Sequence, residues 1–126
     1  MKIPSRRIKI NGIENIIHNT SGLWITALFD GILVPNPALT FSEHKEAFFW
    51  LVEKLLQDGK IKFCPPNELW REGYDIWNVD ISTIMTYLRS HWPQSVNSKN
   101  DIALADYFYA IPSIIWIDDN GEILQP

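Results

Sequence analysis

The chain has 126 residues, 46% of them hydrophobic and 21% charged, with a formal charge of −4 and a single cysteine. That length fits one domain, residues 1–126, since domains most often run ~100–150 residues, and the composition excludes a disordered or fibrous protein. Cys64 alone excludes an intramolecular disulfide and suits a reducing compartment.

The N-terminal run MKIPSRRIKI is basic but is not followed by the apolar region of a secretion signal. No apolar run approaches the ~20 residues that span a bilayer. A cytoplasmic protein with no membrane partner is therefore expected. From Asn11 to about Gly31, apolar residues recur at roughly helical spacing, and Ser21-Gly22 divides them into two helices. Val34-Pro35-Asn36-Pro37 must be a loop, because proline removes a donor and restricts the residue before it.

The best-specified element comes next. Thr40 and Glu43 form a capping box, and Phe41 to Asp58 continues as a helix with Phe48, Phe49, Leu51, Val52, Leu55 and Leu56 in helical register. Gly59 ends it. Lys60 to Cys64 alternates as a short strand, with Ile61 and Phe63 on one face, and Pro65-Pro66 stops it.

Residues 67–78 are irregular and rich in tryptophan, and no conformation is assigned to them. Asp80 or Ser82 caps a helix through His91, with Ile81, Ile84, Met85 and Leu88 at core spacing. A weaker helical pattern covers Ser98 to Tyr109. Ser113 to Ile117 reads as a strand, Asp118-Asp119-Asn120-Gly121 as a turn of type I′, and Glu122 to Leu124 as the returning strand of a hairpin. The expected fold is α+β: several helices packed on a small antiparallel sheet that includes the C-terminal hairpin.

Charge is divided unevenly along this order. Met1 to Lys62 holds eight Lys or Arg against six Asp or Glu; Phe63 to Pro126 holds three against nine, and no basic residue follows Lys99. A surface of one sign repels polyanions and steers basic partners. Asp101, Asp106, Asp118, Asp119 and Glu122 are the candidate partner-binding carboxylates. The same charge alone is also what an acidic face kept only for solubility would carry. Trp77, with Trp70 and Trp92, lies in a turn-like or helix-end context where an aromatic can serve an interface, although core packing is the commoner role.

Catalytic and metal chemistry find little support. Cys64 has no histidine near it in sequence to act as base, so it is expected to be structural. His18, His44 and His91 lack the close spacing that converges imidazoles on one ion, so no metal and no cofactor is expected. His44, on the polar side of the helix start, is expected to be solvated. Lys2, Arg6, Arg7 and Lys9 have no interleaved aromatics, and nucleic acid is not an expected partner.

Three segments resemble a bacterial family: FSEHKEAFFWLVEKLLQDGKIKF (Phe41 to Phe63), TIMTYLRSHWP (Thr83 to Pro93) and DYFYAIPSIIWIDDNGEI (Asp106 to Ile123). They are similar, in this order, to the hallmark helix, middle helix and C-terminal signature of the domain of unknown function 596 family. The chain departs from that pattern at residues 67–78 and at Ala110-Ile111-Pro112.

The resemblance implies a small cytosolic α+β protein without assigned catalytic residues. It also implies an immunity protein of a polymorphic toxin or contact-dependent inhibition system, whose partner is a cognate toxin. Such toxins are commonly nucleases with basic substrate surfaces, which an acidic inhibitor complements. The alternatives are a bacterial adaptor or regulatory binding module, and a small enzyme or ligand-binding domain. The oligomeric state is left open.

Overall fold

The computed structural model describes residues 9–66, 76–98 and 100–124. Among the described residues, five helices and two short strands follow one another as α1 (Ile13–Thr20), α2 (Ile25–Leu33), α3 (Phe41–Gln57), β1 (Ile61–Phe63), α4 (Ile81–Ser90), α5 (Ile102–Ala110) and β2 (Ile114–Trp116). The helices pack with the two-stranded antiparallel sheet as one α+β fold.

The break between α1 and α2 falls where Ser21-Gly22 places it, and the two helices pack against each other. Buried Asn36 ties the loop after α2 back to the start of α1. Its amide nitrogen donates to Asn11 O at 3.0 Å and Ile32 O at 2.9 Å, and its Oδ1 accepts from Asn11 N at 2.8 Å. A buried amide satisfied on both ends stabilises; stripped of one partner, it would cost the desolvation of the other.

Helix α3 is the central post. Thr40 Oγ1 accepts from Glu43 N at 3.1 Å, and Glu43 Oε1 accepts from Thr40 N at 2.9 Å, so the capping box is complete. Ala47, Phe48, Phe49, Leu51, Val52 and Leu55 are fully buried. At the far end Lys60 N donates to Leu55 O and Gly59 N to Leu56 O, which is a Schellman motif with Gly59 at φ 73°. The chain leaves that motif directly into β1, with Ile61 and Phe63 inward and Lys62 outward.

Strand β2 pairs with β1, in the register Ile61 with Trp116, Lys62 with Ile115 and Phe63 with Ile114. The C-terminal hairpin is smaller than the sequence suggests: its return is one bridge, Ile117 with Ile123, supported by Leu124 N donating to Trp116 O at 2.8 Å. The turn also differs from the expected type I′. Gly121 N bonds Asp118 O and Asp118 N bonds Glu122 O, which makes a three-residue loop with Gly121 at φ 82° in the bulge position. The reason is Asp118, whose carboxylate brackets the loop from inside.

Asp80, not Ser82, caps α4, accepting from Thr83 N at 2.9 Å. Hydrogen bonds from the Thr83 side chain and amide hold its carboxyl below the ordinary value of 3.8. A depressed carboxyl contributes stability above its unfolded value, and that contribution is lost as pH falls through the lower folded one. Helix α5 starts later than the sequence suggests, because Asp101 caps it by accepting from Ala103 N.

In the aromatic core one expectation is corrected and one is met. His44 is buried instead of solvated: its ring stacks on Phe29 at 3.7 Å, and Nε2–H donates to Phe29 O at 2.7 Å. Trp92 takes the core role expected as the commoner one, edge-on to Phe49 and Tyr107. Tyr107 OH donates to Leu88 O at 2.7 Å, and burial pushes its phenol well above the ordinary value.

Leu55→Ala should lower the unfolding free energy by ~2–5 kcal/mol in urea denaturation, because the side chain is fully buried. Asn36→Ala should cost ~1–3 kcal/mol in the same experiment, from the backbone groups it leaves unpaired. A loss under ~0.5 kcal/mol in either variant would contradict the packing described.

Candidate functional site

The five candidate carboxylates do different things. Asp101 is half-buried and spends one oxygen on the α5 cap. Asp118 is half-buried too, and its Oδ1 accepts from both Asn120 N and Glu122 N at 2.9 Å. These two acids build structure.

Asp106, Asp119 and Glu122 are exposed. Asp119 Oδ1 lies 3.8 Å from Lys60 Nζ, with the carboxylate 99% exposed, a geometry that contributes little attraction in water. The turn therefore gathers Asp119 and Glu122 beside the Asp118 bracket, while Asp106 stands on the outer side of α5. All of them lie on a stretch, 100–126, that contains no basic residue.

The tryptophans separate in the same way. Trp77 is half-buried, edge-on to Tyr87 at 5.4 Å, and its backbone N–H donates to Phe63 O at 2.8 Å, extending the sheet's hydrogen bonding. It packs against the core with only part of its surface available to a partner. Trp70 lies outside the described residues.

Sequence reasoning missed several large exposed apolar side chains, among them Trp24 at 75%, Ile102 at 77% and Tyr109 at 84% exposure. Trp24 precedes α2 as its N-cap residue, extended and without a side-chain cap. Ile102 and Tyr109 both sit on α5. The available signal was the composition of Ile102–Ala110, apolar at every position but Asp106, since such a helix buried on one face presents hydrophobic residues to solvent.

Two cations, Arg89 and Lys45, are engaged with the aromatic core. Arg89 pairs with Glu46 Oε1 at 3.2 Å and lies 4.6 Å over the Phe49 ring, while Lys45 lies 5.6 Å over Trp92. Both hold their charged heads over aromatic faces, a cation–π arrangement. Cys64 is half-buried, with its backbone N–H on Ser113 O at 3.0 Å. Among the described residues, no three His, Cys, Asp or Glu side chains converge to hold a metal ion. No helix of the described residues is long and apolar enough to cross a membrane.

No protein-family model, curated protein or solved structure matches the chain.

The division of labour among the acids is testable by denaturation. Asp118→Ala should destabilise by ~1–3 kcal/mol, since two loop amides lose their acceptor. Asp119→Asn and Glu122→Gln should stay within ~0.5 kcal/mol of the parent. Equal effects at all three positions would remove the distinction between structural and outward-facing carboxylates.

Proposed function

We propose that this chain is a non-catalytic immunity protein that binds a cognate bacterial toxin domain and neutralises it by covering a basic surface. The observation that carries the reading is the exposure of Asp106, Asp119 and Glu122 on a stretch of 27 residues, 100–126, that holds no lysine, arginine or histidine. Carboxylates held outward in water, with only the exposed Lys60 near Asp119, raise a negative potential that speeds encounter with a basic partner and disfavours acidic ones. The resemblance of the segments at 41–63, 83–93 and 106–123 to the domain of unknown function 596 family supports the same reading, and it supplies the toxin as the class of partner.

Inhibition by occlusion requires no chemistry of the inhibitor. The toxin's own basic groups, placed to hold its substrate, become the attraction for the inhibitor. Association is then fast and salt-dependent, and the lifetime of the complex depends on apolar contacts.

The test is binding kinetics with the protein encoded beside this chain's gene, across a salt series. Asp106→Asn/Asp119→Asn/Glu122→Gln should slow association, while Asp119→Asn/Glu122→Gln alone should leave dissociation nearly unchanged, because rim charges act by steering. The wild-type rate should fall as salt rises and the Debye length shrinks from ~30 Å at 0.01 M to ~8 Å at 0.15 M. Salt-insensitive association, unchanged in the triple variant, would reduce the acids to a solubility role. Cys64→Ser should keep full protection of cells against the toxin. A folded Cys64→Ser protein that no longer protects would contradict a pure binding mechanism.

A further inference from the structure

The steering charges do not supply the contact that holds a complex together, and the fold offers one surface suited to that task. Helix α5 buries Leu104, Tyr107 and Phe108 against the aromatic core and turns Ile102, Ala105, Asp106 and Tyr109 to solvent. The spacing of these four, i, i+3, i+4 and i+7, places them in one stripe along the helix. Its ends are the two most exposed large side chains on α5, Ile102 and Tyr109. Scattered exposed hydrophobics are ordinary; an aliphatic and an aromatic residue aligned on one helix face are the usual anchors of a helix that enters a groove.

We infer that the outer face of α5, with Tyr109 and Ile102 as anchors around Asp106, is the surface that docks the partner, in an apolar notch rimmed by lysine or arginine. The inference rests on the reading of the chain as an immunity protein and names the site through which it acts.

Charge decides the occupant. The stripe holds one acid and no base, and no basic residue follows it in the chain. Asp106 beside Tyr109 complements a cationic rim and repels anionic lipid and nucleic acid. A second copy of this chain fits poorly. A two-fold pairing of α5 with itself would cross near the middle of the stripe, between Ala105 and Asp106, and bring the two Asp106 carboxylates together as they lose water. A basic protein surface satisfies both the apolar ends and the charged centre.

Neither anchor takes part in the core, so both can be replaced without unfolding the protein. Tyr109→Ala and Ile102→Ala should leave the melting temperature unchanged. Each should weaken binding of the neighbouring-gene protein, Tyr109→Ala by ~30-fold or more, with the loss appearing in the dissociation rate. Wild-type binding that persists within twofold in the Tyr109→Ala/Ile102→Ala variant would overturn the α5 site and leave the immunity function standing. Failure of the wild type to bind that protein would overturn both. A wild-type dimer in sedimentation that Tyr109→Ala converts to monomer would assign the face to a second copy instead of a basic partner.

Discussion

Burial of α3 on every side but one is the constraint on which the other elements depend. Eight of its 17 residues are buried, and α2, α4 and β1 all pack against it. A helix wedged in this way must begin and end at defined residues, since a shift of one position would rotate Phe48 and Leu55 away from their neighbours. The capping box at Thr40–Glu43 and the Schellman motif at Gly59 set the two ends. The second end also sets β1, because Lys60 leaves the motif with Ile61 and Phe63 already facing the core. Through the pairing of β1 with β2, the position of the C-terminal turn follows from the length of α3.

The aromatic side chains convert that post into a single core. Phe29 from α2 meets Phe48 edge-on, stacks on His44 and approaches Phe108 of α5, while Trp92 joins Phe49 to Tyr107. Aromatic pairs at such offset and edge-on angles add to the burial of their area. Polar atoms inside the cluster are matched as well: His44 and Tyr107 each bond a backbone carbonyl. Among the described residues, no buried side-chain nitrogen or oxygen lacks a partner.

Local chemistry was readable in the sequence, and long-range placement was not. The capping box, the Gly59 stop, the α1–α2 break and the alternation of β1 all arise from residues within a few positions of one another, and each is observed. His44 defeats local reasoning because its partner, Phe29 O, is 15 residues away on another helix. Trp92 follows a helix end, where exposure is common, yet rings from α2, α3 and α5 close around it. Asn120-Gly121 carries the usual signal of a two-residue turn, but the Asp118 side chain favours a three-residue loop. Among the candidate site residues, the acidic character of the C-terminal stretch was legible from composition. Which carboxylates are free to meet a partner was not, because a cap at Asp101 and a bracket at Asp118 are features of folded geometry. Ile102 and Tyr109 escaped because exposure of an apolar residue depends on how much of α5 the core can cover.

The resulting picture separates three tasks along one short stretch. Asp101 and Asp118 shape the backbone, Asp106, Asp119 and Glu122 set the field, and Ile102 with Tyr109 provides apolar surface beside that field. Amide hydrogen exchange of the chain, alone and bound to the neighbouring-gene protein, tests this arrangement most directly. The account predicts slowed exchange on binding concentrated in 100–124, covering α5 and the C-terminal turn, with α1 and the exposed side of α3 unchanged. Protection centred on α1 or on Trp50 of α3, with 100–124 unaffected, would contradict it.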